Sequence, residues 1–416
     1  MKRTGWIRWL RRHGLVPMLL VTAGVLVFTA SNLHAAADDA GWELMDLEGD
    51  RRALEGIVIR GELLDAYHRT SFRVTADGVA HETELFEAYR DEPRYIPGRI
   101  IGDALWRVWN FEDQTMIEKQ PLDRPNQREQ VIISGSYGAL DARGNGRYGN
   151  QVEYGLASAE GRMYYVTPTS IYYSGIHAIY RLRFDDEMKA AEKLVELDMR
   201  GNDGERSRGL EVLGLEAAGD KLVLIMTEDR DRLIVRCYDS RTGELLGETA
   251  ARDFQAGRHS PSYIASADPD GQTISLAFPR GEELEAGQSA FTFLSFSLTD
   301  DGISLIEEVQ PVFADGSWET WISRMALGHT GDKLVAAMTV RAAMEHDAPY
   351  ANYYVGSTRF MIYVFEDGEL TYRGELITDQ NDDFIYTRNR PLNAGYSPIA
   401  HREYERLGIG TVGRDG

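Results

Sequence analysis

The residues able to do chemistry are scattered along the chain. Two serines have glycine-bearing neighbourhoods, Ser136 in SGSYG and Ser289 in GQSA. Neither completes the G-x-S-x-G elbow, and no strand-to-helix turn frames them. Cys237 lies inside the apolar run LIVRCYD with no His beside it, which describes a buried thiol rather than a nucleophile. His177, His259, His329, His346 and His401 never fall at paired metal spacing, so no zinc site is expected. Asp268-Pro269-Asp270-Gly271 opens like a calcium loop but lacks the later acidic ligands, which makes it a type I turn. His346-Asp347 has the form of an imidazole oriented for general-base work, although a solvated loop has the same composition. Residues 135–149 hold five glycines, yet no Lys-Ser/Thr follows and no helix opens there. A flexible connection is expected, not a phosphate cradle. No cofactor is implied by any of these.

What remains is a set of aromatic and basic residues in long connections. Tyr172, Tyr173, His259, Trp318, Trp321, Tyr353 and Tyr354 fall in the stretches 168–175, 250–262, 310–321 and 341–358, and further long connections cover 199–209 and 279–289. Aromatic rings with a few Arg and His suit sugar faces, peptides or other flat ligands that are part polar and part apolar. The same rings would also serve simply to pack over the ends of the elements they join.

Those elements read as strands. In residues 210–249, LEVLGLEAAGDKLVLIMTEDRDRLIVRCYDSRTGELLGET, four apolar runs of four to eight residues are separated by Gly- and Asp-bearing turns. The unit repeats. Its first turn carries Gly161, Gly219, Gly271 and Gly331, at intervals of 58, 52 and 60 residues, and third and fourth strands follow each time. Four strands per unit at such a period are the signature of a propeller blade. Residues 185–198 have a helical spacing of Met188, Ala191 and Val195, but they stand where the other units place a strand hairpin. Before residue 150 the pattern is faint. Residues 53–64 and 71–79 read as strands, 81–89 allows a short helix, and 99–111 is a longer apolar and aromatic run with Trp106 and Trp109.

Two segments resemble known repeats. DPDGQTISLAF is similar to the PDG-turn strand of TolB-type propellers, and CYDSRTGELLGET resembles the D-x-x-TGE-x-L ending of WD-type and quinoprotein-type blades. The resemblance covers residues 151–377. The WD dipeptide and the periodic Trp residues are absent, so it implies a fold and no activity. The expected architecture is all-β: a β-propeller of six or seven four-stranded blades over residues 38–416, with the tail beyond Asp382 completing or pinning the first blade.

An N-terminal segment precedes it. Lys2, Arg3, Arg8, Arg11 and Arg12, the apolar run 15–30 and Ala35-Ala36-Ala37 form a signal peptide or, if uncleaved, a membrane anchor. Either form places the remainder outside the cytoplasm. The formal charge of −21 includes these five positive charges, so the remainder carries −26. Such a surface excludes nucleic acid as partner and limits membrane contact to the N-terminal segment. With one Cys, no intrachain disulfide supports the exported part. Three functions fit: a noncatalytic module whose long-loop face binds a glycan, peptide or extracytoplasmic protein, a carbohydrate-active hydrolase or lyase at the central channel, or the sensor domain of a membrane complex. In the first connection entering the last repeat, GSWETWIS turns Trp318 and Trp321 to opposite sides if it is extended.

Overall fold

The computed structural model describes residues 41–412 except 65–67, 87–97, 111–113, 125, 135–151, 172, 174, 185–188, 201–208, 252–253, 255–262, 269, 281–283, 286, 317–323, 342–352, 379–382 and 388–402. Of residues 1–40 it describes only Thr22, so the N-terminal segment lies outside the described residues.

The middle strands show why the chain folds as it does. Lys221–Glu228 (KLVLIMTE) is buried along nearly its whole length. Leu222, Leu224 and Met226 enter one apolar cluster, whereas Val223 and Ile225 enter another. Alternate side chains leave a strand on opposite faces, so a run that is apolar at every position needs a neighbour on each side. Outer strands need only one. Lys189–Asp198 accordingly alternates, with Val195 and Leu197 buried and Glu192, Lys193, Glu196 and Asp198 exposed.

Six antiparallel sheets of four or more strands result among the described residues. Blade 1 contains Ile57–Leu64, His68–Thr75 and Gly78–Leu85, with Glu403–Thr411 from the end of the chain as its innermost strand. Blade 2 comprises Arg99–Ile101, Ala104–Asn110, Gln114–Pro121 and Glu129–Ser134. Blade 3 runs from Leu156–Ala159 through Arg162–Val166 and Ile176–Phe184 to Lys189–Asp198. Blade 4 is Leu210–Ala218, Lys221–Glu228, Arg232–Asp239 and Leu245–Ala251. Blade 5 is Ile264–Ala267, Thr273–Pro279, Ser289–Thr299 and Gly302–Val309. Blade 6 is Met325–Thr330, Lys333–Arg341, Tyr353–Glu366 and Glu369–Thr378, with Trp42–Gly49 added outside as a fifth strand. Innermost strands of blades 3 and 4, 4 and 5, 5 and 6, and 6 and 1 touch. The chain is a β-propeller.

Five apolar clusters fill the seams from blade 2 round to blade 1. Among the described residues the seam between blades 1 and 2 has none. There the facing side chains of blade 1, Ser71, Arg73, Glu82 and Glu84, are exposed and polar.

The repeat turns are equivalent. Gly161, Gly219, Gly271 and Gly331 all have φ between 60° and 72°, in the left-handed region that favours glycine. Gly102, at φ 62, occupies the same place in blade 2. The Asp239-Ser-Arg-Thr-Gly turn is held by its first residue: Asp239 Oδ1 accepts from Thr242 N (2.7 Å), Thr242 Oγ1 (2.9 Å) and Arg241 N (2.9 Å). Asp268 Oδ1 accepts from Gln272 N (2.7 Å) and Thr273 N (3.1 Å), which makes that stretch a turn.

One expectation for the first 150 residues is corrected. Residues 81–85 belong to the strand Gly78–Leu85, paired along its length with His68–Thr75, where a helix was allowed. In the apolar run that begins at Arg99, Gly102 turns the chain so that Arg99–Ile101 and Ala104–Asn110 pair as a hairpin. The helical spacing in 185–198 yields to a strand, Lys189–Asp198.

Candidate functional site

Charged and aromatic groups from four blades converge near the axis. Arg99 opens the innermost strand of blade 2, and its guanidinium donates to Leu156 O of blade 3 (2.8 Å) and to Glu216 Oε2 of blade 4 (2.7 Å). The Tyr263 hydroxyl, arriving at blade 5, donates to Glu216 Oε1 (3.0 Å). Tyr154 stacks on Tyr263 with ring centroids 4.8 Å apart. Gly214 makes room for this: a Cβ there would stand 2.1 Å from the Tyr263 hydroxyl and 2.7 Å from Tyr154 O. The Glu216 carboxylate raises the Arg99 pKa. Burial, then the same carboxylate, raises Tyr263 well above its ordinary value and pushes Tyr154 up to about 12. Both oxygens of Glu216 are engaged by donors. A carboxylate held in this way ties blades together.

A second convergence borders open space. A cavity of about 790 Å³ lies where blade 5 meets blade 6 and the closing strand of blade 1, on the face of the short turns. Ser266, Gln272, Thr273 and Ser297 line it from blade 5, His329 and Thr330 from blade 6, and Thr411 from the closing strand. His329 Nε2 stands 3.3 Å from Glu307 Oε2, an oxygen with no hydrogen-bond partner among the described residues. Glu307 Oε1 accepts from Gly368 N (3.2 Å). Burial raises the Glu307 pKa, favouring its protonated form. The wall therefore offers hydroxyls, an amide, the carboxyl groups of Asp268 and Asp270 and the His329 imidazole, with Glu307 behind that ring.

Of the residues expected to bind ligand, Tyr172, His259, Trp318 and Trp321 lie outside the described residues. Tyr353 and Tyr354 open the strand Tyr353–Glu366 and pair with Thr387 and Tyr386. Tyr173 is half-buried; its hydroxyl donates to Ile176 O (3.1 Å) and its ring meets His177 edge-on at 5.6 Å. His177 is buried 2.7 Å from Thr167 O, and burial pushes its pKa down to about 4, so the neutral ring donates to that carbonyl. Next to it Thr169 N donates to Val212 O (3.0 Å) and Val212 N to Thr169 Oγ1 (2.9 Å), fastening blade 3 to blade 4. Fully buried Glu211 accepts twice from Arg230, at 3.0 and 3.3 Å. At blades 3 and 4 the described part of the long-loop face is thus a clamp in which Tyr173 packs.

Arg99, Glu216, Tyr263 and Glu307 were not singled out from the sequence, and His329 was weighed only as a metal ligand. The available signal was charge inside strand-like runs, as in LEVLGLEAA, where a carboxylate in a buried position demands a partner. Ser289 is not poised for attack: its hydroxyl is buried and donates to Gly316 O (2.9 Å). Residues 136, 346 and 347 lie outside the described residues.

Cys237 is buried and unpaired, and burial pushes its thiol up to about 11. A thiol reagent at neutral pH is expected to leave the native chain unlabelled and to modify it fully once it is unfolded. Rapid labelling of the native protein would show that this seam opens.

No family model matches the sequence, and no curated protein matches it. Solved structures that are similar are propellers. TolB from Acinetobacter baumannii is 14% identical over 85% of this chain, which spans 66% of TolB's length, with a TM-score of 0.32. The Aleuria aurantia lectin in complex with alpha-methyl-L-fucoside is 11% identical over 83% of this chain and 99% of its own, at 0.33. The periplasmic gluconolactonase of Pseudomonas aeruginosa is 11% identical over 77% of this chain and 99% of its own, at 0.29.

Proposed function

We propose that the protein is an exported, noncatalytic propeller that binds a sugar-sized polyhydroxylated ligand in the cavity between blades 5 and 6. The carrying observation is the lining: about 790 Å³ of space whose polar wall is Ser266, Gln272, Thr273, Ser297, Thr330 and Thr411 together with the carboxyl groups of Asp268 and Asp270. Hydroxyls and an amide exchange hydrogen bonds with another polyol, and the carboxyl groups beside them accept from its hydroxyls. Export rests on the N-terminal pattern, basic residues followed by residues 15–30 and Ala35-Ala36-Ala37.

A second reading, a carbohydrate-active hydrolase or lyase in the same cavity, rests on Glu307 and His329. A carboxyl with a raised pKa beside an imidazole is the pairing used for general acid and base work.

One experiment separates them. The chain is screened against a panel of mono- and oligosaccharides, and each bound sugar is weighed after release. For binding, a sugar is retained and recovered intact, and Ser297→Leu, which fills the cavity wall, weakens retention about tenfold, or about 1.4 kcal/mol. Recovery of shortened or unsaturated sugars, lost in His329→Ala, establishes the enzyme instead. If Ser297→Leu retains the same sugar as tightly as the original chain, the cavity is not the site.

A further inference from the structure

Away from that cavity, blades 2 and 3 enclose another of about 680 Å³ on the short-turn face. The strand registers decide which side chains point into it. Ile117 of the strand Gln114–Pro121 belongs to the apolar cluster between blades 2 and 3, so Lys119, two residues on, faces the same way. Trp106, Met163 and Phe184 belong to that cluster too. Arg162, Arg181 and Arg183 also border the cavity, but they alternate with members of the cluster and are engaged on the far face of blade 3. Arg181 donates to Arg241 O, Arg162 stands 4.0 Å from Glu160, and Arg183 stands 3.3 Å from Glu192.

Two donors on the blade 2 wall are left without acceptors. Trp106 is only 3% exposed, and its indole N–H has no hydrogen-bond partner among the described residues. A buried N–H in that condition is costly, and native structures rarely leave one so. The Lys119 ammonium stands 5.9 Å from the centroid of the Trp106 ring and makes no ion pair among the described residues. Phe184 meets Trp106 edge-on, with centroids 5.1 Å apart at 81°. On the blade 3 side Ser158 adds a hydroxyl, and exposed Asp103 stands at the lip. An aromatic floor with an N–H and an ammonium that have no acceptor among the described residues has one complement: a group with an apolar face and a negatively charged acceptor.

We infer that this cavity is a second binding site, taking a small organic carboxylate with an apolar ring face. The carboxylate accepts from Lys119 and from the Trp106 indole, and the ring face lies against the aromatic pair. A sugar acid and an aryl acid share that chemistry. In a chain of net charge −21 an anion site requires a cation without an ion pair, and among the described residues Lys119 is one.

The test uses the full chain, with glucuronate and phenylacetate as probes and glucose and phenylacetamide as their uncharged counterparts. Binding is followed by calorimetry and by the indole N–H resonances in a proton–nitrogen spectrum. A carboxylate probe is expected to bind about tenfold more tightly than its neutral counterpart, and Lys119→Gln to remove that advantage, as loss of a charge-assisted hydrogen bond does. The resonance that shifts is expected to be the one missing in Trp106→Phe. If that variant fails to fold, Lys119→Gln, whose side chain is half-buried, carries the test alone. Binding by only one probe identifies the ring as sugar or aryl and supports the site. The inference is overturned if neither carboxylate binds, or if Lys119→Gln binds as the original chain does.

Discussion

Raising the pH above 10 is expected to unfold the protein in one cooperative step, with its buried tyrosines ionising only as it unfolds. Tyr165, Tyr263, Tyr363 and Tyr372 are fully buried or nearly so. Burial is the first cause that raises each above the ordinary phenol value. Three also donate to carboxylates that oppose a second negative charge: Tyr263 to Glu216, Tyr363 to Asp315 (3.0 Å) and Tyr372 to Asp46 (2.7 Å). The unfolded chain releases these protons near pH 10 while the folded chain keeps them. Above that pH the unfolded state therefore binds fewer protons, and stability falls as pH rises. Each group contributes a slope of about 1.4 kcal/mol per pH unit, and the four together about 5 kcal/mol. A domain with about 5–15 kcal/mol of stability is exhausted roughly one to three units above pH 10. Circular dichroism and tyrosinate absorbance, followed together, check this. Of the 21 tyrosines, the exposed ones should titrate early and smoothly. If tyrosinate absorbance is complete while the dichroism is still native, these side chains are not sealed from water.

Much of this architecture was readable in the residues, and the reason is local. A turn needing φ near 65° selects glycine, so Gly161, Gly219, Gly271 and Gly331 mark the blades by type and interval alone. Gly102 escaped notice because the strand before it, Arg99–Ile101, is too short to display a period. The strand Trp42–Gly49 was equally silent. Only Leu44 of its eight residues is buried, and its partner is Glu369–Thr378, over 300 residues away, a relation no local pattern encodes. The axial cluster lay hidden for the same reason: Arg99 and Glu216 are ordinary charges in sequence and become partners only when blades 2 and 4 approach one axis. The two cavities are harder still to foresee. Their walls come from strands of neighbouring blades, and Ser297 or Lys119 owes its meaning to what stands opposite. The aromatic connections were chosen because long loops on a rigid scaffold collect binding residues, and of them Tyr173 is seen to pack. Expectations for the closing tail were sounder, since a chain that begins a blade with only three strands must complete it from elsewhere.

Removing residues 403–416 is expected to abolish cooperative folding, because Glu403–Thr411 closes the ring. The strand pairs with Ile57–Leu64 at both ends, interrupted only by a bulge at residues 406–407, so its loss bares the inner edge of blade 1 and strands that row of backbone donors and acceptors. It also removes Tyr404, which is 4% exposed, with Leu407 and Ile409, all packed in the cluster between blades 6 and 1. Tyr404 meets Phe360 at 4.9 Å and Phe72 at 5.8 Å, linking the two blades through one ring. One buried aromatic and two aliphatic side chains amount to a loss on the order of 5–10 kcal/mol, comparable to the whole stability of a domain. The loss also falls at the worst place. Blades 1 and 2 share no apolar cluster among the described residues, so a ring that parts from blade 6 leaves blade 1 with no packed neighbour. Thermal unfolding of the shortened chain should begin at markedly lower temperature and lose its single sharp transition. A synthetic peptide covering 403–412, added in excess, should restore much of the transition by taking the vacant edge, whereas a scrambled peptide should not. A shortened chain that melts with the original midpoint and sharpness would mean that the ring is held closed by contacts other than this strand.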